Sequence, residues 1–152
     1  MKVLVDTNLL TRIAEPAHVQ NPIAARAVSV MAARGDVLHV VPQNLYEFWV
    51  VATRPTANNG LGMSGQQAKA EIDSLRQILI LLPDVPAIFD EWQQLVVAHD
   101  CKGKPAHDAR LVAAMNVHGI KEMLTFNASD FARYPGIRII DPANIATPPP
   151  IR

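Results

Sequence analysis

The opening of the chain restricts the fold more than any other segment. Val3-Leu4-Val5 is a short, mostly β-branched apolar run that stops at Asp6-Thr7-Asn8, after which Leu9, Leu10 and Ile13 recur at helical spacing. That is a strand, a polar turn and a helix. The pattern returns at Val37-Leu38-His39-Val40-Val41, where Pro42 leads into a helix from Gln43 to about Thr53. Strands that are apolar along their length are covered on both faces, and strands separated by helices pair in parallel. The chain therefore reads as α/β with a central, mainly parallel sheet.

The remaining segments fit that frame. A helix over Ile23 to Ala33 closes at Gly35, Thr53 to Gly65 is a loop rich in Asn, Gly and Pro, and a helix follows from Gln66 to about Ile78. Leu79 to Leu82 reads equally well as a helix end or a short strand. Asp84 is placed to cap a helix from Val85 to about His99, and Lys102-Gly103-Lys104-Pro105 breaks it. Ala106 to Val117 is helical up to Gly119, and Glu122 to Phe126 and Ile137 to Ile140 are two further strands. At 152 residues one domain is expected, over residues 1–142, with 143–152 an irregular tail containing Pro148-Pro149-Pro150.

Hydrophobic residues make up 49% and charged residues 18%, a balance that supports a packed core and excludes a disordered chain. The 14 basic and 14 acidic residues cancel, so any contact with nucleic acid must be local rather than driven by a global field. Cys101 is the lone cysteine, which excludes an internal disulfide and suits a reducing compartment; no neighbouring feature marks it as a nucleophile. Asp6 interrupts the stretch of ~7–15 apolar residues a secretory signal needs. No apolar run nears the ~20 residues of a membrane span, so a soluble, cytoplasmic protein is expected.

In open parallel sheets ligands bind beyond the carboxyl ends of the strands, and Asp6 stands at such an end, where it can equally cap the helix that follows. Glu47 is the only acid between Asp36 and Glu71. Its helix, dense with Leu45, Phe48, Trp49, Val50, Val51 and Ala52, is expected to be covered nearly all round, so Glu47 meets a hydrogen-bonding or positive partner, pairs with Arg54, or faces water. Asp108 lies in a first helical turn, where the helix dipole favours an acid; Leu111, Val112 and Met115 follow on the same face, which turns it inward. Asn127 and Asp130 follow a strand and also fit a local cap. Acids gathered at one sheet edge repel by roughly 3 kcal/mol per pair at ~5 Å and an effective dielectric of ~20, which a divalent cation relieves. Oxygen donors of this kind suit Mg²⁺ or Mn²⁺, and no clustered Cys/His pattern points to structural zinc.

Val3-Leu4-Val5-Asp6-Thr7-Asn8, Glu47 in the second unit's helix, His107-Asp108-Ala109 and Leu124-Thr125-Phe126-Asn127-Ala128-Ser129-Asp130-Phe131 together resemble the PIN-domain nucleases, and among them the VapC-type toxins of toxin–antitoxin pairs. The resemblance spans nearly the whole chain. It implies a three-layer α/β/α domain that cuts RNA with Mg²⁺ or Mn²⁺, is held inactive by a small antitoxin protein, and forms a homodimer. It further implies that Asp6, Glu47 and Asp108 are metal-binding, catalytic acids. Many relatives have Asp where this chain has Asn127, so Asp130 either supplies the fourth acid or orients the loop. Thr7 is expected to hydrogen-bond a ligand carboxylate from outside the ligand set, with Asn127 in a supporting place.

Lys102, Lys104, Arg110 and Arg133 flank these motifs and are candidate phosphate contacts, each equally readable as an ordinary solvated charge. His107 is read as an exposed or capping residue before a substrate contact. Phe48, Trp49, Phe89 and Trp92 are expected in the core or at a partner interface. By the family resemblance, the helices over Ile23–Ala33 and Gln66–Leu81 form the groove for an antitoxin segment. A phosphoacceptor receiver domain would need an acidic pair after the first strand, which is missing. A PIN-like fold that binds RNA or protein without cutting is the rival.

Overall fold

The structure, a computed structural model, describes residues 1–145; of the irregular tail expected over 143–152, residues 146–152 lie outside the described residues. Five strands, β1 (Lys2–Val5), β2 (Val37–Val40), β3 (Ile80–Leu81), β4 (Glu122–Leu124) and β5 (Arg138–Ile140), form one sheet in the order β3-β2-β1-β4-β5. Every pairing is parallel; Val3, for example, lies between Leu38 and Glu122. The chain moves outward from β1 through β2 to β3, then returns to lay β4 on the other side of β1. The carboxyl ends of β1 and β4 are therefore the point where strand order reverses, the usual ligand crevice of such sheets.

Alternation along each strand sorts side chains between two cores. Val3, Val5, Leu38, Val40 and Leu124 meet α1 (Thr7–Ile13), α2 (Asn21–Ala33), α3 (Pro42–Thr53) and α4 (Gly65–Leu75) through Leu10, Met31, Phe48 and Ala68. On the opposite face Leu4, Val41 and Met123 meet α5 (Pro86–Ala98) and α6 (Pro105–His118) through Ile88, Leu111, Val112 and Met115. This is the expected α/β/α sandwich. The first core reaches Ile145, three residues past the expected boundary at 142. Among the described residues no helix is long and apolar enough to cross a membrane.

Several boundaries differ from expectation for identifiable reasons. The ambiguous Leu79–Leu82 segment contains the edge strand β3. β4 stops at Leu124 rather than Phe126 because Thr125 and Phe126 turn their polar groups toward Asp6 and Asn8. α4 begins at Gly65, fixed by reciprocal bonds between Ser64 and Gln67, and ends at Leu75. Asp84 does not cap α5: Val85 holds the cap position, Pro86 has no N–H to satisfy there, and the Asp84 carboxylate lies 3.5 Å from Arg110. Gly119 closes α6 at φ +71°, a left-handed conformation that suits glycine.

α3 is not covered all round. Phe48 is fully buried, but Tyr46, Trp49 and Val50 are exposed, although Gly65 at the start of α4 lies beside the Trp49 ring; Phe89 of α5 is exposed as well.

Candidate active site

The site begins where β1 ends. Asp6 N–H donates to the Leu124 carbonyl at 3.0 Å, carrying the β1–β4 ladder one residue further and placing the Asp6 carboxylate at the sheet's carboxyl edge. Its Oδ1 accepts from Thr7 N–H at 2.8 Å, so Asp6 does cap α1. Its Oδ2 accepts from the Thr125 hydroxyl at 2.7 Å and from Asn8 Nδ2 at 3.3 Å. The Thr125 oxygen in turn accepts from Asn8 Nδ2 at 3.1 Å and Asn127 N–H at 3.0 Å, which uses its full hydrogen-bonding capacity. Asp6 is 7% exposed. Burial pushes its carboxyl up to about 6 against the opposing bonds from Thr125 and Thr7, and the charges of Glu47 and Asp108 push the same way as burial.

Glu47 is half-buried on α3 and meets hydrogen-bond donors rather than Arg54. The Thr7 hydroxyl donates to Oε2 at 2.9 Å, and Gln43 Nε2, one helical turn earlier, donates to Oε1 at 2.8 Å. Asn44 donates to the Thr7 oxygen at 3.3 Å, while its own Oδ1 accepts from Val41 N–H at the start of α3. Gln43 Nε2 also donates to the carbonyl of His107 at 2.9 Å. Its Oε1 is buried with no hydrogen-bond partner among the described residues, a condition that costs roughly 1–3 kcal/mol.

Asp108 lies in the first turn of α6, and its carboxylate accepts no hydrogen bond among the described residues. Burial raises its pKa, Lys104 opposes the rise, and Asp130 and Glu47 add to it. Asp130 sits on the short 3-10 turn Ala128–Phe131, with Lys104 Nζ 3.8 Å away. Asn127 precedes that turn with an exposed side chain that caps nothing.

Four acids from the end of β1, from α3, from α6 and from the turn after β4 thus share one electrostatic environment. Among the described residues no three His, Cys, Asp or Glu side chains meet as a ready-made ligand set. All the donors in the cluster are oxygens, and one or two carboxylates with several waters is the way Mg²⁺ is usually held. The residues fit a hydrated ion of that kind better than a dry cage.

Of the four candidate phosphate contacts, the structure brings only Lys104 to the acids. Lys102 lies against Asp100, Arg110 against Asp84, and Arg133 against the His99 carbonyl and the Cys101 sulfur. His107 is exposed. Gln43, Asn44, Asn8 and Thr125 acquire roles that their motifs alone did not assign. Gln43 had a usable signal, its i, i+4 spacing from Glu47.

Two apolar clefts lie outside the acid cluster. One, of about 420 Å³, lies between α5 and α6 and is lined by Val85, Ile88, Phe89, Trp92, His107 and Arg110. The other, of about 310 Å³, is lined by Ile13 of α1, Val28 and Ala32 of α2, and Leu75, Ile78 and Leu79 at the end of α4.

No family model matches the chain, and no curated protein does. Solved structures do. VapBC2 of Rickettsia felis bound to promoter DNA superposes with a TM-score of 0.69 at 12% identity, over 92% of this chain and 98% of that one. VapC20 of Mycobacterium tuberculosis, a Sarcin-Ricin loop cleaving toxin, gives 0.66 at 19% identity, over 90% and 98%. A toxin–antitoxin complex from Klebsiella pneumoniae gives 0.62 at 19% identity, over 94% and 99%. At these identities the likeness is one of fold.

Proposed function

The chain has the PIN-domain fold that its motifs suggested, and from that premise we propose that it is a metal-dependent endoribonuclease and the toxin of a toxin–antitoxin pair. One observation carries the reading. Asp6, Glu47, Asp108 and Asp130 are far apart in sequence, yet they meet at the reversal point of the sheet, where the charges of Glu47 and Asp108 add to the raised pKa of Asp6 and those of Asp130 and Glu47 add to that of Asp108. An acid cluster there has a chemical use if a cation joins it.

Asp6 and Asp108 would hold Mg²⁺ or Mn²⁺, with Glu47 and Asp130 binding through water or at a second, weaker site. A cation held there supplies Lewis acidity toward water and neutralises charge on a phosphate. The chain's own residues do the rest. Thr125, Asn8 and Thr7 N–H aim Asp6, while the Thr7 hydroxyl aims Glu47. Lys104, exposed beside Asp130, is the basic group best placed to meet an RNA phosphate. Lys102 and Arg110 sit in surface pairs of the kind that contribute little and exchange readily for phosphate.

The partners follow by analogy. The cleft between α2 and the end of α4 suits an apolar segment of an antitoxin. The exposed Tyr46, Val50, Phe89 and Val97 on α3 and α5 suit a second copy of the chain. A cytoplasmic setting agrees with the unpaired Cys101. The rival, a PIN-like module that binds without cutting, draws on the lack of a ready-made ligand trio among the described residues.

Incubating a mixed RNA pool with Mg²⁺, Mn²⁺ or EDTA, beside Asp6→Ala, separates the two. Cleavage that EDTA and Asp6→Ala both abolish supports the nuclease. Cleavage indifferent to chelator contradicts the metal mechanism, and retention of RNA without cleavage supports the rival.

A further inference from the structure

We infer that Gln43 is a positioning residue that couples Glu47 to the amino end of α6, and so to Asp108, through the two N–H groups of one side-chain amide. The inference rests on the metal-site reading and names a residue that reading does not need.

Three observations carry it. The amide donates to Glu47 Oε1 at 2.8 Å and to the His107 carbonyl at 2.9 Å, and the second is the one hydrogen bond between α3 and α6 among the described residues. Both partners are acceptors, so the orientation of the amide is dictated: turning it over would set an oxygen against a carboxylate and a carbonyl. Finally, Gln43 is 5% exposed and its Oε1 has no partner among the described residues. A side chain present only to fill that space could be apolar and would strand no acceptor. The glutamine keeps its donors at the expense of its acceptor, which points to what the donors hold.

The geometry explains how acids on two helices keep a common register. Glu47 has one donor on each oxygen, Thr7 from α1 and Gln43 from its own helix, so its carboxylate plane is fixed. Asp108 has no such partner among the described residues, and its position follows from where α6 begins. The Gln43 bond to His107, the residue before Asp108, sets that beginning relative to Glu47.

The test uses the full chain and Mn²⁺ alone, titrated by calorimetry, with urea unfolding of the metal-free protein alongside. Gln43→Met and Gln43→Leu are compared with wild type, with Glu47→Ala, and with Gln43→Met combined with Glu47→Ala. Substituting Gln43 is expected to weaken Mn²⁺ binding about 10- to 100-fold, the usual effect of losing an outer hydrogen-bond partner of a ligand, with the urea midpoint kept. The same change made on top of Glu47→Ala should weaken binding by a smaller factor. Mn²⁺ affinity equal to wild type, whatever the urea midpoint, overturns the assignment. Loss of folded protein in both variants makes Gln43 a structural residue and overturns it too. If wild type itself takes up no Mn²⁺, the metal reading falls and this inference with it, and the wild-type titration alone identifies that case.

Discussion

Asp6 and Glu47 sit in a lattice of hydrogen bonds, whereas Asp108 and Asp130 meet mainly other charges. The first pair is held by Thr7, Asn8, Gln43 and Thr125, residues that belong to α1, to α3 and to the segment just after β4. The second pair stands at the start of α6 and on a single 3-10 turn, with Lys104 as the nearby opposite charge. The difference teaches where order comes from. Half of the cluster is arranged by hydrogen bonds to the carboxylates themselves, and the other half by where its helix and its turn begin.

The largest expected effect exposes the strain on the ordered half. Asp6 is pushed up to about 6 from a model-peptide value of 3.8, so the folded state binds that proton more tightly than the unfolded chain does. Its contribution is present at low pH and lost as pH rises from about 4 to above 6, a change of about 3 kcal/mol. His39 works in the opposite sense. It is buried on β2 with both ring nitrogens unpartnered among the described residues, and burial, Lys2 and His118 lower its pKa. Stability tied to neutral His39 is lost as pH falls through its lowered pKa. The Asp6 effect is therefore read as the difference between the urea stabilities of wild type and Asp6→Asn across this range, without metal; parallel curves would contradict it.

Next in size is the contrast between the halves. Thr125→Val removes a donor from Asp6 and an acceptor from Asn8 and Asn127, and should lower RNA cleavage about 10- to 100-fold. Asp130→Asn should cost less, since its carboxylate is among the least constrained of the four. The reverse order would mean that the turn after β4, not the β1 edge, organises the site. Smallest is Lys104→Ala, which removes the larger of the two basic influences, Lys104 and His107, that oppose the rise in Asp108. Mn²⁺ affinity should increase by a factor of about 2 to 5, as expected for losing one exposed competing charge, while RNA binding weakens. Weaker Mn²⁺ binding would show that Lys104 shapes the site instead of balancing it.

The fold was legible because its cause is local: apolar strands such as Val3–Val5 and Val37–Val40 cannot alternate faces with water and so must lie inside a covered sheet. Asp6, Asp108 and Asp130 stood out in the sequence as positions after strands or in a first helical turn, and Glu47 as the lone acid of an apolar helix. What held them was not, because a hydrogen bond between Thr125 and Asp6 spans 119 residues and leaves no periodic trace. Gln43 is the intermediate case, visible as a spacing from Glu47 but silent about its second bond to α6. The open side of α3 was missed for another reason, since Tyr46, Trp49 and Val50 have the composition of a core yet stay exposed among the described residues.

The proposed joining of Asp6 and Asp108 by a single cation can be tested without substrate. Mn²⁺ added to wild type, Asp6→Asn and Asp108→Asn, followed by the electron paramagnetic resonance signal of the free ion, should show one site in wild type that either substitution weakens at least about 10-fold. Uptake by both variants with the wild-type affinity would mean that these two carboxylates do not share an ion.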